Sequence, residues 1–180
     1  MTPSADILHY WFHELQPDDW WRKNEAVDRD ITARFGACLQ AAVRGELFAW
    51  RDSPHGRLAE IIVLDQFSRH IHRDTPGAFA ADGIALVLSQ EAVRAGADTA
   101  LEARERAFLY MPYMHSESPL IQEEALRLFD QPGLEKHLGF AHAHKVIIDR
   151  FGRYPHRNEI LGRESSAEEI EFLQQPGSSF

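Results

Sequence analysis

The sequence predicts an all-α domain built of stacked antiparallel helical hairpins, and three observations predict it. Apolar residues recur at helical spacing along nearly the whole chain. No run of β-branched residues alternates with polar ones as a half-buried strand would. Proline and glycine punctuate the 180 residues at short intervals, leaving room for roughly 8–10 helices, too many and too short for a four-helix bundle. The repeat signal itself is thin: Arg34-Phe35-Gly36 and Arg150-Phe151-Gly152 echo each other at helix ends, without a sustained period.

The elements follow in order from their start and stop signals. Thr2-Pro3 opens a first helix that runs to about Leu15, Pro17-Asp18-Asp19 makes a turn, and a long helix ends before Gly45. A short helix near Trp50 leads to Ser53-Pro54-His55-Gly56, after which RLAEIIVLDQFSRHIHR forms the next helix. Asp74-Thr75-Pro76 opens another that closes near Gly96. Leu101 to about Met111 is strongly helical, Pro112 kinks or ends it, and SPLIQEEALRLFD follows before Pro132-Gly133. LEKHLGFAHAHKVIIDRFG is helical again, a short helix begins at Pro155, and Ser166 to Glu169 form a capping box for the last one. Residues 1–174 read as one domain and 175–180 as a tail.

Composition bounds the function. A chain of this length with 44% apolar residues buries roughly 70% of its unfolded surface around one core. Its 28 acidic against 19 basic side chains, a net charge of −9, argue against nucleic acid or an anionic membrane as partner, since a phosphate backbone needs a broad basic footprint. Only Lys23, Lys136 and Lys145 among those cations are lysine, a bias towards planar, bidentate pairing with oxyanions. The single Cys38 allows neither an intrachain disulfide nor a thiolate metal cluster, and it reads as a core residue of a protein from a reducing compartment. With no basic flank before the first apolar run and no stretch of membrane-spanning length, the expected location is the cytoplasm.

Two stretches carry the candidate chemistry. In LAEIIVLDQFSRHIHR, residues 58–73, apolar side chains point nearly all round the helix axis, which predicts a central, enclosed helix. Asp65, Arg69 and Arg73 stack on it at i, i+4 and i+8, where the two arginines repel and Asp65 satisfies only one of them. Unpaired burial costs several kcal/mol per ion, so the row asks for another acid or an anionic ligand. The second stretch is RFGRYPHRN, residues 150–158, with Arg150, Arg153, His156 and Arg157 and no acid. Pro155 suits the first position of a helix, which places His156, Arg157 and Asn158 in a first turn that already carries partial positive charge. Such a cationic start requires an anion, either a protein carboxylate or a bound phosphate, sulfate or organic acid. Glu105, Glu117 and Asp65 are acids at hand.

HYWF near the start, WWRKNEAVDRDITARF, LAEIIVLDQFSRHIHR, ERAFLYMPYMHSES, FAHAHKVIIDRFGRYPHRN and ILGRESSAEEIEFL together resemble the bacterial domain-of-unknown-function family numbered nine-two-four. The resemblance covers nearly the whole chain and implies an all-helical, tetratricopeptide-like superhelical fold, without an established activity, substrate or cofactor. Its LDQF segment falls on Leu64, Asp65, Gln66 and Phe67, its ERxFLYMP on Glu105 to Pro112, its HSE on His115 to Glu117 and its RFGRxPHRN on Arg150 to Asn158. Ser68 and His70 depart from the proline and asparagine of the usual pattern, which would alter the polarity of any pocket they shape.

Other chemistry is weaker. His142 and His144 diverge on a helix, as do His70 and His72, and His137 lies too far from His144 to share a metal, so no metal site and no cofactor are expected. Ser116 and Ser118 beside His115 lack a nucleophile elbow and read as helix caps, and Gly-rich phosphate loops are absent. Trp11, Phe12, Trp20 and Trp21 read as core anchors, with an aromatic groove wall as the alternative.

Two functions fit this pattern. In the first, a binding module, as monomer or homodimer, holds a small anionic ligand or an acidic peptide in a groove lined by Asp65, Gln66, Arg69, Arg73, Arg150, Arg153, His156, Arg157 and Asn158. The second is an enzyme in which His115 or His156 acts as acid or base, oriented by Glu105, Glu117 or Asp65, while the arginines clamp an oxyanion. Beneath both stands a purely structural ion-pair network.

Overall fold

A helix that is apolar on every side has to be surrounded, and residues 58–68 are buried without a break. The computed structural model describes residues 2–179, and among these no strand occurs. Helix α3 (Pro54–Ile62) continues through a π-helical turn, Val63–Phe67, into α4 (Ser68–Ile71) as one rod. Leu58, Ile61, Ile62, Val63, Leu64 and Phe67 are fully buried along it. Ser53 starts the rod by accepting the Gly56 amide, with Pro54 at the first helical position.

The neighbours enclose this rod on all sides. Helix α1 (Ser4–His9), which runs into its own π-turn at Tyr10–Glu14, packs on α3, and α2 (Glu25–Val43) packs on the π-turn and α4. Helices α5 (Asp82–Arg94) and α6 (Ala103–His115) cover other flanks of α3. The chain then stacks in sequence, α5 on α6, α6 on α7 (Pro119–Phe129) and α7 on α8 (Glu135–Phe151), as successive helical hairpins do. At the centre Trp11 meets Phe108 edge-on at 5.4 Å and Phe67 at 5.7 Å between ring centroids, and burying each such ring contributes roughly 1.5–3 kcal/mol. Cys38 is buried in this core, and burial raises its thiol to about 11.

Three element boundaries differ from the sequence expectation, and each difference shapes the site. Helix α6 does not stop at Pro112 but runs on to His115; proline forfeits one intrahelical bond, while the burial of Tyr113 and Met114 keeps the last turn helical. The helix expected from Pro76 begins only at Asp82, after a 3₁₀ turn at Pro76–Ala78. The segment after Pro155 is a single 3₁₀ turn, Pro155–Arg157, too short for a helix dipole to gather anions.

The C-terminal part is set by one glycine and one tyrosine. Gly152 adopts φ +69°, a left-handed conformation that ends α8 and turns the chain back across the helices. Tyr154 follows as an anchor with no exposure: its hydroxyl donates to the Met114 carbonyl at 2.6 Å, and Gln122 Nε2 lies 2.9 Å from the same oxygen. That bond lays residues 155–157 against the last turn of α6. Helix α9 (Ala167–Leu173) closes the chain on the Ser166–Glu169 capping box, and its Phe172 packs on Phe151. Within the stretch expected to be a tail, Ser178 is buried and donates to the Leu173 carbonyl.

Candidate functional site

The π-turn at Val63–Phe67 is where the rod carries its polar groups, and π-turns inside helices are frequent at functional sites. It brings the adjacent side chains of Asp65 and Gln66 into a mutual hydrogen bond, Gln66 Nε2 donating to Asp65 Oδ2. Asp65 has no exposure at all, and its second oxygen lies 2.7 Å from His115 Nδ1 on α6. One turn further, Arg69 sits 3.2 Å from the same carboxylate. Burial alone would raise the Asp65 carboxyl, but the Arg69 guanidinium and the His115 hydrogen bond outweigh it and hold it far below the usual range.

Gln66, Arg69 and His115 line one side of a cavity of about 450 Å³, whereas Asp65, expected in its wall, lies buried behind them. Gln66, Arg69 and His115 come from the rod and α6, while Tyr154, His156 and Arg157 come from the returning chain. Aromatic side chains, among them Trp20, Trp21, Phe79 and Phe140, form much of the remaining wall, with Arg22, Arg73 and Lys136 adding positive charge. Asp74 supplies the wall's one carboxylate among the described residues.

The acids that balance the deep arginines stand behind them. Asp82, in the first turn of α5, accepts Arg69 in a fork at 2.8 and 3.0 Å. Asp28 on α2 accepts Arg73 in another fork, at 2.6 and 2.7 Å, and lies 2.7 Å from His70 Nδ1. The row Asp65, Arg69 and Arg73 therefore finds its missing acids on two other helices.

Arg157 is placed differently. It is 7% exposed, and its guanidinium lies between the rings of Phe79 and Tyr154, 4.6 Å from each centroid. Among the described residues its carboxylate contact is a single one of 3.3 Å to Asp82, which Arg69 already holds with both arms. A second N–H donates to the His115 carbonyl at 3.1 Å, and Nε is buried without a hydrogen-bond partner among the described residues. Burial first, then the nearby Arg69 charge, lowers the Arg157 pKa against the pull of Asp82 and Glu117. Arg157 is a desolvated cation with too little negative charge around it.

The two histidines expected as acid–base groups both line the cavity. Burial, followed by repulsion from Arg69, lowers His115 despite its bond to Asp65. With Nδ1 held by the Asp65 carboxylate, His115 keeps its proton there and leaves Nε2 as an acceptor. Burial takes His156 down to about 4 and His144, on α8, down to about 3.

Other residues singled out in the sequence lie elsewhere. Arg150 pairs with Glu168 at 2.7 Å on an exposed face, and Arg153 forks onto the buried Glu169 at 2.7 and 2.8 Å, so both pin α9 to the end of α8. Asn158 is buried between Arg163 and Ser165. Glu117 accepts both arms of Arg163 and the Tyr154 amide, which braces the returning chain without reaching the cavity wall. Glu105 caps its own helix by accepting the Glu102 amide, with His55 at 3.6 Å. Asp82, Phe79 and Tyr154 were missed, because each reads locally as a common first-turn acid or core aromatic, and only the tertiary fold places them around Arg157.

Among the described residues no helix is long and apolar enough to cross a membrane, and no group of three His, Cys, Asp or Glu side chains is placed to hold a metal ion. Residues 7–177 match the model of a family described as bacterial protein of unknown function (DUF924). The fold is similar to a solved structure of a protein of unknown function from Agrobacterium tumefaciens, 38% identical, covering 95% of this chain and 96% of that one, with a TM-score of 0.90. No curated protein matches.

Proposed function

The chain belongs to that bacterial family of unknown function, and from the geometry of its cavity we propose that it binds a small organic anion there. The observation that carries this reading is Arg157, buried, underpaired and in the cavity wall. A cation desolvated this far costs free energy unless an anion joins it, and an anion between Arg157 and Arg69 meets both guanidinium groups. The volume of about 450 Å³ lies in the range of small-molecule pockets, which favours a small ligand over an acidic peptide. The aromatic wall suits a flat or apolar body attached to the charged group.

The test is ligand-dependent stabilisation. Thermal unfolding with benzoate, inorganic phosphate, sulfate, phenyl phosphate and phenyl sulfate is expected to show at least one ligand that raises the melting temperature. At a concentration 100 times Kd the gain is about 2.7 kcal/mol. Arg157→Gln is expected to abolish the gain. Failure of every ligand to stabilise the native protein in an Arg157-dependent way would refute the reading.

A second reading, acid–base catalysis, is favoured by the 2.7 Å bond from His115 Nδ1 to Asp65 Oδ1, which presents Nε2 as a base. It predicts that a stabilising ligand is chemically altered on incubation, with the change lost in His115→Gln.

A further inference from the structure

Resting on the anion-binding reading, we infer that the cavity selects an oxyanion that carries its own proton, a phosphomonoester in its monoanionic form, over a proton-free one such as a sulfate ester. The inference starts from Asp65. This one buried carboxylate holds His115 by Nδ1 and Gln66 by Nε2, and so turns His115 Nε2 and Gln66 Oε1 away from itself as acceptors. Both residues line the cavity beside Arg69 and Arg157. The deep end therefore offers cationic donors and neutral acceptors side by side. A carboxylate or a sulfate ester answers only the donors and sets its lone pairs against those of His115. A phosphomonoester has enough oxygens to meet two guanidinium groups and still donate one O–H to Nε2.

Burial, helped by Arg69, lowers the His115 ring against the pull of Asp65 and Asp82. Asp65 and Arg69 face it from the rod, Asp82 from α5, Arg157 through the His115 carbonyl, and His144 from α8. Glu117, two residues along, is taken up by Arg163 and the Tyr154 amide. Burial and Arg69 together lower the ring below its ordinary value, so a proton-free anion can gain a donor from His115 only by drawing a proton from solvent. A phosphomonoester, whose second pKa is about 6, brings that proton with it.

The matched probes are phenyl phosphate and phenyl sulfate, which share one aromatic body. Calorimetric titration of the whole protein at about pH 6 is expected to give phenyl phosphate at least about tenfold the affinity of phenyl sulfate, the cost of leaving one acceptor unmet. His115→Gln is expected to bring the two affinities together, since an amide can rotate to donate or accept. Arg157→Gln is expected to weaken both. On the native protein alone, titration at about pH 5.5 in two buffers of different ionisation heat reads proton uptake, expected to be larger for any phenyl sulfate that binds than for phenyl phosphate, only about a quarter of which is dianionic at that pH. Equal affinities, equal proton uptake or discrimination that survives His115→Gln would overturn the inference while leaving anion binding intact. Absence of Arg157-dependent binding by either ester would overturn both readings.

Discussion

Arg69 and Arg157, from two segments far apart in sequence, share the single carboxylate of Asp82. Arg69 takes both oxygens, and Arg157 reaches one of them at 3.3 Å. The arrangement is lopsided, and the two kinds of truncation should therefore behave oppositely. Arg157→Gln removes an underpaired buried charge and is expected to leave stability within about 1 kcal/mol of native, or to raise it. Asp82→Asn leaves Arg157 without a carboxylate and Arg69 with Asp65 alone, and is expected to cost about 2–3 kcal/mol, somewhat below the loss for a fully enclosed pair because Asp82 is 19% exposed. Urea unfolding of the two variants checks this, and a large loss in Arg157→Gln would return the cluster to a purely structural role.

Stability is expected to fall on acidification in two stages. His144 is held neutral by burial, with its pKa lowered to about 3. The unfolded chain binds its proton near pH 6.5, so stability is lost from about 6.5 downwards, at up to about 1.4 kcal/mol per pH unit for each such group. His156, lowered to about 4, adds to the same stage. Asp65 and Glu169 have the opposite chemistry and the same sign. Their depressed carboxyls stabilise the fold above an unfolded pKa near 4, and that contribution is lost as pH falls below it. Denaturation followed between about pH 7 and 5 should therefore already show a slope, and His144→Gln should make it shallower while His156 keeps its share. A flat profile there would contradict the burial of the histidines.

Much of the fold was legible in the sequence because helix signals are local. The apolar girdle of Leu58 to Phe67 predicted an enclosed rod, and Ser166 with Glu169 predicted the cap of α9. Pro112 left a kink and an end both open, since its lost hydrogen bond is a local cost and only the packing of Tyr113 and Met114 carries the helix past it. The site was legible only in part. Asp65, Arg69 and Arg157 could be suspected from charges placed where a helix should hide or repel them, whereas Arg150 and Arg153 carry the same charge and face acids of α9. Nothing in the nine residues 150–158 separates these cases. The distinction is made by Gly152, which turns Arg157 inward, and by Asp82, which is an ordinary first-turn acid until the fold brings Arg69 to it.

The α9 clamp should be separable from the cavity. Arg153 donates to both oxygens of Glu169, which is 3% exposed, and to the Glu164 carbonyl. Glu169 also accepts the Ser166 amide, and these bonds, Arg153 foremost, lower its carboxyl to about 2. Glu169→Gln keeps the shape but loses the charge-assisted fork, and is expected to cost about 1–3 kcal/mol. It should also speed hydrogen exchange in residues 166–173 and leave the affinity for phenyl phosphate unchanged. A parallel loss of anion affinity would show that α9 supports the cavity after all.

Replacing Arg157 by lysine tests whether the site needs a guanidinium or only a charge. The flat group lies between two rings at 4.6 Å, a geometry that an ammonium cannot reproduce, and it reaches Asp82 and the His115 carbonyl with separate arms. A lysine there would also meet the burial and Arg69 repulsion that lower Arg157, starting from an intrinsic pKa about 2 or more units lower. Arg157→Lys is therefore expected to bind phenyl phosphate roughly tenfold more weakly than the native protein at about pH 8. Measured against the native protein at each pH, because the ester itself gains a proton towards pH 6 in every variant, part of that loss should return as the pH is lowered and the ammonium regains its proton, whereas the ratio for Arg157→Gln should stay constant. Native affinity in Arg157→Lys at pH about 8 would mean that neither stacking nor the fork is used, and that the cation acts as a point charge.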